Sequence, residues 1–578
     1  MTTLEIETKG KTFRDYSLLG IAIFFYLVSA FSRIGQPIAK DDLHWLVAAK
    51  NLYVTGRPTV YFVPNAIVAH SPHSYLYAIK FAFDIFGIHD PVARLPGILS
   101  GLLTLILIFM ITKSFIRDDK GEQTQGAALT TLLYATTPAV VQGSVILEND
   151  NTLLIPAILF LFFSFVKYQQ EGKLRWALAT GLAVTVALWV RITTPVLALF
   201  LLGLYAGVRK SSLRSKCILS LTTLLGILAF GGLWFFYCRI KEVPFLYPFE
   251  YTLDRFQYRS SEAGGLRLDK IFENLVYLTL WLGPFTTLLF LILTVRRFTQ
   301  FLNRRQVNFE DVFLIGGLVI IGTYTFVGGL PFGFPKYHSP GIGLIYVFSG
   351  IALHQCGKTG FLGLRLRNVL IAMGAAFLIQ ILTLHDSLYL FRYQLREAAT
   401  FASPFAYKAV LKSIALKTAL YFALFAVLGM VSMKFRLVRN PFLLLTLFAV
   451  GPNTGTCFLQ NSSGYQTGYD YGIRGTVETA RFIQNHLTHQ ETVVAPSEII
   501  YYLNYPPSAY LLDRVWNDEK ELTRIISQPT TAAFAYSVAI NPVDQIKNFS
   551  SYEPLQRRLS QEFNSSAIGS FKVWIRKT

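Results

Sequence analysis

Charge is scarce in this sequence. Asp, Glu, Lys and Arg make up 15% of 578 residues, against roughly 25% in soluble domains, which excludes a freely soluble enzyme with a solvated surface. Cysteine is rarer still. Cys217, Cys238, Cys356 and Cys457 lie near the ends of apolar runs with neither framework nor metal-ligand spacing, which excludes a disulfide scaffold and a Cys-rich metal centre. They read as isolated thiols, with a pairing of Cys238 and Cys457 left open because both fall on the same side of the topology below. No Gly-rich loop follows a strand-like segment, so no nucleotide site is assigned. No fixed-period repeat is present.

What the chain has in abundance is apolar length. Hydrophobic residues make up 52% and aromatics 15%, gathered into runs long enough to cross a bilayer. This composition reads as an α-helical polytopic membrane protein. A net charge of +19 could suggest nucleic acid, but Lys and Arg form short clusters between the runs, as the positive-inside rule requires. Nucleic acid is therefore not expected as a partner; the lipid bilayer is.

Span-sized runs fall at roughly 16–34, 93–115, 126–142, 151–167, 176–190, 193–208, 217–237, 275–295, 312–330, 340–355, 367–385, 416–433 and 441–458, about thirteen in all. The pair 176–190 and 193–208 is separated by Arg191-Ile192-Thr193-Thr194-Pro195, where a charge and a proline predict a break near one membrane face. The basic clusters fall on one side if the spans alternate. That places the N-terminus in the cytoplasm and residues 35–92, 143–150, 238–274, 331–339, 386–415 and those after about 459 outside it. The N-terminal run follows Lys9, Lys11 and Arg14, and Val28-Ser29-Ala30 loosely resembles a signal-peptidase site; its length favours an uncleaved anchor.

Two stretches depart from the span pattern. Residues 35–92 carry Asp41, Asp42, Lys50, Arg57, His70, His73, Lys80 and Asp84, yet Leu43, Leu46, Val47 and Ala49, then Tyr75, Ile79, Phe83 and Phe86, recur at helical spacing. This predicts amphipathic helices lying in the membrane interface. Residues 459–578 turn polar and alternate a helix over 477–486 with strand-like segments at 492–495, 509–512, 532–540 and 571–575, a small extracytoplasmic α/β domain. The chain thus divides into a membrane domain, 1–458, and this terminal domain.

Adjacent carboxylates a few residues beyond a span are costly, about 2.5–3.5 kcal/mol each at a helix centre, and are normally kept for work. Lys40-Asp41-Asp42-Leu43-His44-Trp45, His70-Ser71-Pro72-His73-Ser74-Tyr75, Arg94-Leu95-Pro96-Gly97, Glu148-Asn149-Asp150, Arg191 and Pro335-Lys336-Tyr337-His338-Ser339-Pro340 occur in that order. In order and topology they resemble the GT-C glycosyltransferases, nearest to the protein O-mannosyltransferases and the aminoarabinose (lipid A) transferases. Asp41 matches that family's first-loop aspartate, Asp42 stands where it has glutamate, and Lys336-Tyr337 matches its basic-Tyr segment. The Glu-Lys that precedes two prolines in aminoarabinose transferases is replaced here by Ala69-His70-Ser71-Pro72, so metal ligation and lysine–phosphate contact do not carry over to that stretch.

The resemblance implies a sugar moved, with inversion, from a polyprenyl-phosphate donor to a lipid, protein or glycan acceptor on the outer face of a bacterial plasma membrane. Chemistry points the same way. Outside the cytoplasm no nucleotide-sugar pool exists, so the sugar must arrive on a membrane-borne carrier. A carboxylate must take the acceptor's proton, and cations must stabilise the departing phosphate. Asp41 is the expected base, with Asp42 and Asp150 organising the acceptor side; Arg191, Lys336, Tyr337 and His70 are expected at the donor phosphate. A divalent cation is an open question, with Glu148, Asp150 and His338 as candidate ligands and no tight ligand spacing. Competing assignments are a helix N-cap for Asp41, a helix start for Asp150 and an interfacial anchor for Arg191. At the level of the whole chain they are a transporter or flippase, or a glycan polymerase or ligase using a lipid pyrophosphate.

Overall fold

The apolar runs fold as helices wherever they are described. The protein is seen here as a computed structural model that describes residues 3–35, 38, 40–59, 71–116, 120–209, 212–251, 284–304, 307–326, 334–359, 443–462, 475–487, 491–503, 519–537, 553–569 and 571–577, with isolated positions in 253–283 and 374–431. The order is α1 (Thr3–Phe31), α2 (Lys40–Thr55), α3 (Ser74–Phe86), α4 (Asp90–Ala93), α5 (Leu95–Phe115), α6 (Lys120–Ala135), α7 (Pro138–Val145), α8 (Leu154–Glu171), α9 (Leu174–Val190), α10 (Thr193–Val208) and α11 (Leu213–Lys241). After these come α12 (Pro284–Arg304), α13 (Asp311–Phe326), α14 (Ser339–Thr359) and α15 (Leu443–Ser462).

Among the described residues, Asp90–Phe115, Leu213–Lys241 and Pro284–Asn303 are long and apolar enough to cross a membrane, and Tyr16–Phe31, Leu174–Val190, Thr193–Val208 and Asp311–Phe326 are shorter apolar helices. The expected spans 367–385 and 416–433 lie outside the described residues but for isolated positions. One expected span is interrupted: 126–142 breaks at Thr136-Thr137, and Pro138 opens α7, because proline cannot continue a helix but suits its first position. The break foreseen at Arg191 is present, with that residue extended between α9 and α10.

Close backbone approach sets the packing of α9 on α11. A β-carbon on Gly181 would lie 2.5 Å from the Thr222 carbonyl oxygen, and one on Gly226 would strike the Gly181 carbonyl. Thr185 Oγ1 donates to the Gly226 carbonyl at 2.9 Å. This is the small-residue crossing by which helices associate in lipid, where burial from water supplies little drive.

The stretch 35–92 folds differently from the expectation. The apolar faces of α2 and α3 meet each other, burying Leu43, Trp45, Leu46, Val47, Tyr75, Ile79 and Phe83 together with Leu147 and Ala93. Among the residues expected to lie in the interface, Phe86 is exposed. The pair forms a packed hairpin.

Near the C-terminus, α16 (Thr476–His486), α17 (Ser497–Tyr502), α18 (Glu519–Ile526) and α19 (Glu553–Glu562) surround strands β1 (Thr492–Val494), β2 (Thr531–Ser537), β3 (Phe563–Ile568) and β4 (Phe571–Arg576). The sheet order is β1-β2-β4-β3, parallel between β1 and β2 and antiparallel elsewhere. Residues 509–512 lie outside the described residues. The strand β3 escaped the sequence reading because its alternation is weak: Phe563 is its buried position. All four cysteines are free, so Cys238 and Cys457 are not bridged. The Cys457 thiol instead lies 3.4 Å from the Thr136 carbonyl oxygen.

Candidate functional site

Asp41 and Asp42 occupy the first turn of α2, where the unpaired amides of a helix start favour negative charge. The side chain of Asp41 and the whole of His70 lie outside the described residues. Asp42 is buried. Its Oδ1 accepts the backbone N–H of Leu147 at 2.8 Å, and its Oδ2 is 3.8 Å from Arg94 Nη2. Arg94 is buried too, with Nε donating to the Val145 carbonyl at 3.0 Å and Nη1 to the Ile34 carbonyl at 2.7 Å. These contacts form a clasp joining the end of α1, the start of α2 and the segment after α7. Asp42, expected on the acceptor side, thus takes part in this clasp.

The clasp delivers α2 onto the second loop, residues 146–153. One position past Leu147, Glu148 Oε2 accepts from Lys336 Nζ at 3.0 Å, and both side chains are buried. Two positions further on, the buried Asp150 carboxylate lies 3.5 Å from Arg191 Nη1. Asn149 Nδ2 donates to the Val190 carbonyl at 2.8 Å, fixing the second loop to the end of α9, where Arg191 begins. Arg191 and Lys336 converge on one ring: the guanidinium carbon is 5.7 Å and the ammonium 5.0 Å from the Tyr337 centroid. Tyr337 stacks on Tyr324 at 5.4 Å, whose hydroxyl is 2.7 Å from Thr194 Oγ1. Two cations and an aromatic platform thus face two carboxylates across a short loop. Such a set can exchange a carboxylate partner for a phosphate.

His338 is buried beside them. Thr325 Oγ1 donates to the Ile321 carbonyl at 2.8 Å, so toward His338 it accepts, from Nε2–H at 3.1 Å. Burial pushes this imidazole down to about 3, which keeps it neutral. The candidate metal ligands are not brought together: Glu148 and Asp150 face cations, and among the described residues no group of three His, Cys, Asp or Glu side chains gathers.

Some residues here, Trp189, Trp234 and Tyr237 among them, were not singled out in the sequence. Tyr75 is buried, and burial, then Asp42 and Glu148, raise its hydroxyl well above its usual range. Ser71 Oγ, Ser74 Oγ, Asn149 Oδ1, Asn151 Oδ1 and His338 Nδ1 are buried without a hydrogen-bond partner. Native interiors rarely tolerate such atoms, and Asn149 and Asn151 belong to the second loop itself. Beside it, Trp189, Trp234, Tyr237 and His73 pack edge-on or stacked with centroids 5.4–6.1 Å apart, and His73 Nδ1 is 2.6 Å from the Tyr237 hydroxyl. The tyrosine two places beyond His73 and the Trp-x-x-Tyr at 234–237 were the available signals.

Comparison with known proteins places the fold. Residues 70–234 match a family model described as dolichyl-phosphate-mannose-protein mannosyltransferase. No curated protein matches the sequence. Among solved structures, ArnT from Cupriavidus metallidurans bound to undecaprenyl phosphate is similar with a TM-score of 0.63 at 15% identity, over 96% of this chain and 97% of that one. The same protein in the apo state gives 0.58 at 16%, over 96% of each. The Archaeoglobus fulgidus oligosaccharyltransferase in complex with zinc and sulfate gives 0.50 at 10%, over 97% of this chain and 73% of that one. The chain therefore has the fold of the GT-C glycosyltransferases and resembles ArnT and the protein mannosyltransferases.

Proposed function

We propose that this protein is a membrane glycosyltransferase that moves one sugar from a polyprenyl-phosphate donor to an acceptor outside the cytoplasm. The observation that carries this reading is convergence. The helix that bears Asp41 is bound through Asp42 to Leu147, and the next three residues hold Lys336 and Arg191 through Glu148 and Asp150. The similarity to ArnT, a protein captured with undecaprenyl phosphate, supports the class of carrier.

In this reading the Asp41 carboxylate takes the proton of the acceptor nucleophile as it attacks the anomeric carbon. The bond from that carbon to the phosphate oxygen breaks, and its electron pair leaves with the lipid phosphate. Arg191 and Lys336 neutralise the developing charge, the planar guanidinium offering paired donors and the ammonium a point charge. Attack from the face opposite the leaving group inverts the centre. Asp150 and Glu148 hold the two cations in place before the donor arrives, and His70 remains a candidate for the phosphate. The half-buried rings of Trp189 and Tyr237, backed by the buried Trp234, supply a wall for the first isoprene units.

The test is reconstitution in liposomes with a panel of polyprenyl-monophosphate and polyprenyl-pyrophosphate sugars, with products read by mass spectrometry. Transfer of a single sugar from a monophosphate donor is expected. Transfer of a whole glycan from a pyrophosphate alone would assign a polymerase or ligase instead.

A further inference from the structure

The C-terminal unit reaches the helix that bears Asp41 through two adjacent tyrosines of α17. The Tyr502 hydroxyl accepts the backbone N–H of Ile38 at 2.8 Å, three residues before Asp41. The Tyr501 hydroxyl donates to Asp90 Oδ1 at 2.6 Å and is also bonded by Lys50 Nζ. Lys50 in turn pairs with Asp90 at 3.0 Å and lies 4.6 Å from the Tyr501 centroid. Both tyrosines pack on the α2–α3 hairpin.

These contacts complete a bracket around Asp41. On the far side, Asp42 is fixed by Leu147 and Arg94 from the membrane helices. On the near side, Ile38 is fixed by Tyr502 from a segment 464 residues away. Ile38 lies between α1 and α2, so this hydrogen bond ties the approach to α2 to the C-terminal unit. Burial pushes the Tyr502 hydroxyl up to about 12, so it stays neutral and its hydrogen bond persists throughout the physiological range.

We propose that Tyr502, supported by Tyr501 with Lys50 and Asp90, is a positioning residue that makes the C-terminal unit part of the catalytic assembly by setting the backbone from which Asp41 extends. This rests on the reading of Asp41 as the base. Misplacing a base slows proton transfer without altering the grip on the donor phosphate, so the signature lies in kcat.

The experiment compares full-length wild type, Tyr502→Phe, Tyr501→Phe and Asp41→Asn in liposomes, with a polyprenyl-monophosphate sugar donor identified by the panel. Measured are kcat, donor KM, affinity for undecaprenyl phosphate and thermal midpoint. Tyr502→Phe keeps the ring and is expected to lower kcat about 3- to 10-fold, the scale of one lost hydrogen bond, with KM, carrier affinity and midpoint unchanged. An unchanged kcat in Tyr502→Phe beside an inactive Asp41→Asn overturns the positioning role alone. A lower midpoint with unchanged kcat per folded enzyme also overturns it, as a purely structural contact. Wild-type transfer by Asp41→Asn overturns the base assignment and the positioning role with it.

Discussion

Two adjacent aspartates look alike in sequence and take different parts in the proposed mechanism. Asp42 binds Leu147 and Arg94, and the proposed mechanism gives the base role to Asp41. The pair was legible because carboxylates beside a span are costly, but its division was not, since the deciding partners lie about 50 and 105 positions away. Asp42→Ala strands Arg94 as a buried charge and should cost about 3–5 kcal/mol, read as a lower thermal midpoint in detergent; Asp42→Asn, which still accepts from Leu147, should cost less. His338 gives a pH signature. Its folded pKa of about 3 lies below the unfolded value of about 6.5. Between the two the unfolded chain binds the extra proton, so stability rises with pH across that window and is lost on acidification. His338→Gln should flatten that part of the midpoint-against-pH curve relative to wild type, and an identical slope would deny the buried neutral imidazole.

At the scale of elements, hydropathy located most helices and misjudged their interruptions. The gap at Arg191 was readable because charge and proline coincide there. The gap before Pro138 was missed because the run 126–142 carries no charge across Thr136-Thr137-Pro138, and hydropathy does not register a lost amide. The α2–α3 hairpin was seen as two amphipathic helices, but a 3.6-residue period shows only that one face is apolar, not whether lipid or protein covers it. Glycine spacing was silent until the crossing of α9 and α11 gave Gly181 and Gly226 their reason. Gly181→Leu should force those helices apart and cost several kcal/mol, on the order of 3 or more where backbone must shift. Reduced folded yield and a depressed midpoint would register it, whereas Gly172→Ala, with open space around it and only its left-handed backbone (φ 63°) to strain, should cost about 1 kcal/mol.

For the whole molecule, the segments assigned by charge to one side touch one another. Arg57 pairs with Glu242 at 2.6 Å, Asp42 with Leu147, Lys336 with Glu148, and Lys50 and Asp90 with Tyr501. In a segment assigned by charge to the other side, Arg297 pairs with Asp311 at 2.6 Å. This agreement motivates a labelling test in a Cys217→Ser background: a membrane-impermeant maleimide should reach Ser212→Cys from the cytoplasmic face and Glu553→Cys from the outer face, and the reverse pattern would invert the topology. The measurement that bears most directly on the proposed chemistry is single-turnover sugar transfer by Asp41→Asn, with undecaprenyl-phosphate binding measured on the same preparation. Loss of a general base predicts transfer slower by about 10²–10⁴-fold with carrier affinity within about twofold of wild type. Transfer at the wild-type rate would contradict the assignment of Asp41 and the mechanism built on it.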